Sequence, residues 1–160
     1  MTGYILTEQQ NLYLTQVLED LFTETEARAC LLSDTGGNII AQITDTDDEI
    51  IQTVAALAAG SFAATKQLAG ILGEQSFQSM FHQGHKIAIY IQAISTEFII
   101  LAVLGPISTP GLVKLYATKA SHELEPLLKE ISAQSASAHA KSGQVFETKS
   151  DGPIFTPEQR

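Results

Sequence analysis

Ala27-Arg28-Ala29-Cys30-Leu31-Leu32-Ser33-Asp34-Thr35-Gly36-Gly37-Asn38-Ile39-Ile40-Ala41-Gln42-Ile43 is the stretch on which the fold turns. Two runs of strand length, 27–33 and 38–43, flank Asp34-Thr35-Gly36-Gly37. Glycine supplies the positive φ that a tight turn between twisted strands needs, so the stretch predicts a β-hairpin.

Upstream, Thr7-Glu8-Gln9-Gln10 has the form of a capping box, in which a hydroxyl and a Gln side chain satisfy helix-start amides. Leu12, Leu14, Val17, Leu18, Leu21 and Phe22 follow at helical spacing, which predicts a helix over 7–22. Downstream, Thr46-Asp47-Asp48-Glu49 reads as a second capping box and opens a helix over 47–72. Ile50, Val54, Leu57, Leu68 and Leu72 fall on one face of it, the face expected to lie on the sheet. Gln52, Ala56, Ala59, Ala63 and Lys66 fall on the other, whose middle is small rather than charged.

Three further strands are expected over 76–82, 86–93 and 97–104, with turns short enough to favour antiparallel neighbours. Thr109-Pro110-Gly111 starts a last helix, with Thr as cap and Pro at the first helical position. Pro126 lies inside its apolar pattern and predicts a kink or break. After Ile131 the composition turns to Ser and Ala, so 1–132 is expected to form the domain and 133–160 a flexible tail. Within that tail, the pairs ending in Phe146 and Phe155 are possible docking anchors. The order α-β-β-α-β-β-β-α predicts an α+β fold: one five-stranded antiparallel sheet with helices packed on it.

The chain has 160 residues, of which 44% are hydrophobic, enough for one core. It carries 18 acids against 9 bases, and residues 1–49 hold ten of those acids with Arg28 as their only base. Such a balance argues against nucleic acid as a partner, because phosphate binding needs a basic patch. The longest apolar run, Phe98 to Leu104, is too short for a membrane span, and the N-terminus lacks a basic leader; a cytoplasmic protein is expected.

Catalytic and metal chemistry find little support. There is no phosphate-cradling Gly-x-x-x-x-Gly-Lys run. His82 and His85 have metal-like spacing but no nearby carboxylate or thiol to complete a site, and no cofactor is expected. Cys30, the single cysteine, reads as a core residue. Asp34-Thr35-Gly36 resembles the active-site loop of retropepsin-type aspartic proteases, which pair two carboxylates so that one proton is shared. Ser33 interrupts that pattern and two long helices depart from it; the turn reading needs only an Asp and a Gly.

Several strings together resemble the Roadblock/dynein light chain superfamily, and within it the bacterial MglB group. They are Leu31 to Ile40, Leu57 to Ala64, Leu72-Gly73-Glu74 through Phe77 with Phe81-His82-Gln83-Gly84, and Gly111 to Leu115 with Lys119 to Leu124. The resemblance spans about residues 5–131 and implies a homodimer without an active site. In such dimers the central helices of two subunits pack side by side, their sheets join edge to edge, and the paired helices form a platform for a small GTPase. MglB-like members bind the GTP form of a Ras-like GTPase, MglA, and speed its hydrolysis in cell polarity or motility; other members are scaffolds. Here the platform, or the dimer contact, would be built from Gln52, Ala56, Ala59, Ala63 and Lys66. Activating proteins often insert an arginine, but this chain has only Arg28, on an expected strand, and Arg160, its last residue. Lys66 and Lys86 lack the planar fork. The expectation is therefore activation without an arginine finger, by holding the GTPase switch loops.

Overall fold

The computed structural model describes residues 3–143. Its elements are α1 (Glu8–Thr25), β1 (Ala27–Asp34), β2 (Ile39–Thr44), α2 (Asp48–Ile71), β3 (Ser79–Gln83), β4 (Ala88–Ala93), β5 (Phe98–Leu104) and α3 (Pro110–Gly143). The strands form one antiparallel sheet in the order β2-β1-β5-β4-β3. The central pair is β1 with β5, where Leu31 faces Leu101 and Leu32 faces Ile100.

Alternation along these strands makes two cores. Cys30, Leu32, Phe98, Ile100, Ala102 and Leu104 point to one face and pack under α1 and α3. Ala29, Leu31, Ile91, Ile99 and Leu101 point to the other and pack under α2 alone. Among the described residues, two helices thus cover one side of the sheet and a single helix the other.

The helix starts follow from their caps. Thr7 Oγ1 accepts from Gln10 N at 3.2 Å, and Thr7 N donates to Gln10 Oε1 at 2.9 Å, completing the first capping box. At α2 the cap is Asp47, not Thr46: its Oδ1 accepts from Glu49 N at 2.9 Å. A carboxylate binds the exposed amides and the positive helix end more strongly than a hydroxyl, so the acid takes the position.

Pro126 does not break α3, which is continuous to Gly143. Proline removes one donor from the ladder and crowds the carbonyl a turn back. In that turn Tyr13 of α1 donates its hydroxyl to the carbonyl of Glu123 at 3.3 Å. The helix also runs eleven residues past the expected end of the domain at 132, so 133–143 are helical.

Candidate functional site

Among the described residues α2 is the only helix on its side of the sheet, and its outward face is where the molecule departs from an ordinary solvated surface. The face turned to the sheet holds Ile51, Ala55, Ala58, Ala59 and Phe62. The three alanines, between Ile51 and Phe62, meet bulky strand residues, Leu31, Ile91, Ile99 and Leu101. Because the sheet supplies the volume, the helix can lie close to it on alanines. Ile51 and Phe62 are large side chains turned inward, whereas Ile50, Leu57, Leu68 and Leu72 are exposed, Leu57 by 70%. The expectation that these residues lie on the sheet is therefore inverted. Val54 alone of that set is half-buried and touches the core.

The five residues expected to form the second face are separated by the same rotation. Gln52, Ala56, Ala63 and Lys66 are exposed. Ala59 is 2% exposed and belongs to the sheet-packing cluster. Ala56 sits where the β1–β2 turn meets the helix: Gly37 has φ +90°, and a Cβ there would lie 2.8 Å from Ala56 Cα. Helical spacing alone puts Ile50, Leu57 and Leu68 on one face but does not say which way that face turns. A signal is present in the strands, whose large residues suit a helix face with small residues at its middle.

The C-terminal half of α2 reaches an open sheet edge. Thr65 Oγ1 lies 3.1 Å from Met80 Sδ on β3, so this flank of α2 stands over the terminal strand. α2 is also long and apolar enough, by length and composition alone, to cross a membrane. Its apolar character here is divided between the sheet contact and this outward stripe.

The other candidates fall elsewhere. Asp34 is a turn anchor: Oδ1 accepts from Gly36 N and Asn38 N, both at 2.9 Å. Its Oδ2 accepts from Asn38 Nδ2 at 2.8 Å and from the Tyr4 hydroxyl at 3.3 Å. A carboxylate so occupied, in a sheet flanked by three helices, does not form a protease dyad. Cys30 is fully buried, and burial pushes its thiol up to about 12, so it is inert at neutral pH. His82 on β3 and His85 in the following turn are exposed, and among the described residues no three metal-binding side chains come together. Arg28 lies at the start of β1 over Gly105, where an added Cβ would come within 3.4 Å of Nε. Lys86 is exposed in the β3–β4 turn. Arg160, Phe146 and Phe155 lie outside the described residues.

The sequence pattern of the Roadblock/LC7 domain matches residues 13–104. Among curated proteins, no relative matches the sequence. Solved structures do. Myxococcus xanthus MglB is 27% identical over 79% of this chain and 96% of its own, with a TM-score of 0.72. The gliding protein MglB of Thermus thermophilus is 31% identical over 80% and 97%, with a TM-score of 0.74. An MglB described with a tetrameric arrangement is 30% identical over 81% and 97%, with a TM-score of 0.75. The resemblance read from the hairpin and the central helix is thereby confirmed at the level of family and fold.

Proposed function

The chain belongs to the Roadblock/LC7 domain family, and from that premise we propose that it is a homodimeric activator of a bacterial Ras-like small GTPase of the MglA kind. It binds the GTP form, has no active site of its own, and works in the cytoplasm in cell polarity or motility. The MglB relatives at 27–31% identity support this reading, one of them by its tetrameric arrangement.

The observation that carries it is the outer stripe of α2. Ile50, Leu57 and Leu68 stand in water, and the C-terminal half of the same helix reaches β3, an edge strand with one row of unpaired backbone groups. Exposed apolar rows and open edges are liabilities unless something covers them. A second copy packed α2 to α2 and β3 to β3 covers both at once. Gln52, Ala56 and Ala63, on the other flank of the helix, then remain for the GTPase, with Lys66 toward the end of α2 near the start of β3; Ala59 takes part only by seating α2 on the sheet.

Activation proceeds by differential binding. The paired helices hold the GTPase switch loops in the hydrolytic arrangement, and the GTPase's own residues perform the chemistry. Arg28, laid against Gly105 at the start of β1, does not act as a finger, and neither does Arg160.

Single-turnover GTP hydrolysis by the cognate GTPase, with and without this protein, tests the activity. Stimulation that survives Arg28→Ala and Arg160→Ala, each at saturating protein, is the expected result. Binding with no change in rate would make the protein a scaffold instead. Loss of stimulation in either variant, with binding intact, would identify a finger and overturn the mechanism.

A further inference from the structure

Where β3 begins and β4 ends, a cleft of about 430 Å³ opens between α2 and α3. Lys66 borders it from α2 and Lys114 from α3, two elements that lie on opposite faces of the sheet. His122, about two turns beyond Lys114, borders the same space. Ser76, Ser79 and Thr118 add hydroxyl groups that can donate to an acceptor.

The charge pattern is unusual for this chain. It has twice as many acids as bases, 18 against 9. The two ion pairs among the described residues, Lys119–Glu123 and Lys129–Glu125, join residues one turn apart on α3. Lys66 and Lys114 enter neither. Glu125, the single acid bordering the cleft, is held by Lys129 at 2.9 Å. Of the five cations outside these pairs among the described residues, Lys66 and Lys114 border one concave, hydroxyl-lined space. Ammonium groups are point-charge donors suited to phosphate, and the hydroxyls can bind its remaining oxygens. The volume lies within the usual range of small-ligand pockets, about 300–1,000 Å³, and exceeds what a bare phosphate needs.

We propose that this cleft binds a small phosphate monoester, with the phosphate between Lys66 and Lys114 and the organic part in the remaining space. The proposal does not rest on the GTPase reading, and its test needs no GTPase.

The full-length protein is titrated with ribose 5-phosphate and, separately, with inorganic phosphate. Binding is followed by amide chemical shifts and by calorimetry. Saturable shifts confined to the cleft, around Ser76–Ser79, Ser95–Thr96 and Lys114–His122, are expected, with the sugar phosphate binding more tightly. Lys66→Gln and Lys114→Gln should each weaken binding about tenfold, the loss of one charge-assisted contact. Lys119→Gln, on the same helix outside the cleft, should leave it unchanged. All three positions are exposed, so unchanged melting curves will verify folding. No saturation by either probe would overturn the proposal. So would equal affinity for the two probes, or an equal loss in Lys119→Gln.

Discussion

Three residues carry consequences beyond their neighbourhood. Gly37 combines a left-handed backbone with a 2.8 Å approach to Ala56 Cα, so it pins the β1–β2 turn against the middle of α2. Gly73 has a similar φ, +82°, but nothing within 4 Å of an added Cβ. Gly73→Ala should therefore lose only the left-handed penalty, about 1–2 kcal/mol. Gly37→Ala should lose distinctly more, because the obstructing atom is backbone; urea denaturation of the two variants compares them directly. Cys30 and Tyr4 control the alkaline limb of stability. Burial raises both groups, the Cys30 thiol from 9.0 and the Tyr4 phenol from 10.0, each to about 12; the Asp34 carboxylate adds to the effect on Tyr4. The folded state then holds each proton more tightly than the unfolded chain. Their contribution is complete below pH 9 and is lost as pH rises from 9, for Cys30, and from 10, for Tyr4, toward about 12. Cys30→Ala should flatten the fall in unfolding free energy between those limits. An equally steep fall would contradict the assignment.

At the scale of the element, α2 has two apolar faces with opposite tasks, and two substitutions separate them. Leu57 is 70% exposed, so Leu57→Glu should leave the fold within about 0.5 kcal/mol of wild type. If the outer stripe pairs with a second copy, the same change should yield monomers in light scattering. Ala59 faces the sheet at 2% exposure. Ala59→Arg forces a long cation against Leu31 and Leu101 and should cost at least about 3 kcal/mol of folding stability, read by thermal melting. A folded Ala59→Arg protein that has merely become monomeric would restore the original orientation of the helix. The capping residues belong to this scale too. Thr7 and Gln10 were legible as a pair because a capping box depends only on residues three apart, whereas the choice of Asp47 over Thr46 depended on which acceptor met the first amides.

For the whole molecule, the boundary between domain and extension is a matter of burial rather than helicity. α3 continues to Gly143, yet Ile131 is the last of its fully buried residues. Ser132 closes the domain with a 2.6 Å hydrogen bond to Glu97 Oε2. Side chains 133–141 are exposed except for a half-buried Ser135. Ending the chain after Ser132 should therefore move the melting temperature by no more than about 2 °C. Ending it after Leu127 removes Leu128 and Ile131 from the core and should lower it by at least about 8 °C, at roughly 2 kcal/mol per buried side chain. Similar losses for both truncations would place the extension in the folded core.

Local chemistry determined a great deal. Glycine and aspartate in the first hairpin, periods of two and 3.6, and Pro110 at a helix start are properties of neighbouring residues; they specified the order of elements and, with the family resemblance, the fold. The rotation of α2 about its axis was not determined at that level. A helix with Ile50 and Leu57 on one side and Ala55 and Ala59 on another can bury either. The decision came from Leu31, Ile91, Ile99 and Leu101, strand residues far away in the chain, whose bulk fits the face on which Ala55, Ala58 and Ala59 lie between Ile51 and Phe62. Likewise, no sequence spacing relates Lys66 to Lys114; they border one cleft because α2 and α3 pass opposite faces of the same sheet edge. Patterns within a few residues are written in the chain itself, whereas complementarity between surfaces exists only once both surfaces have formed.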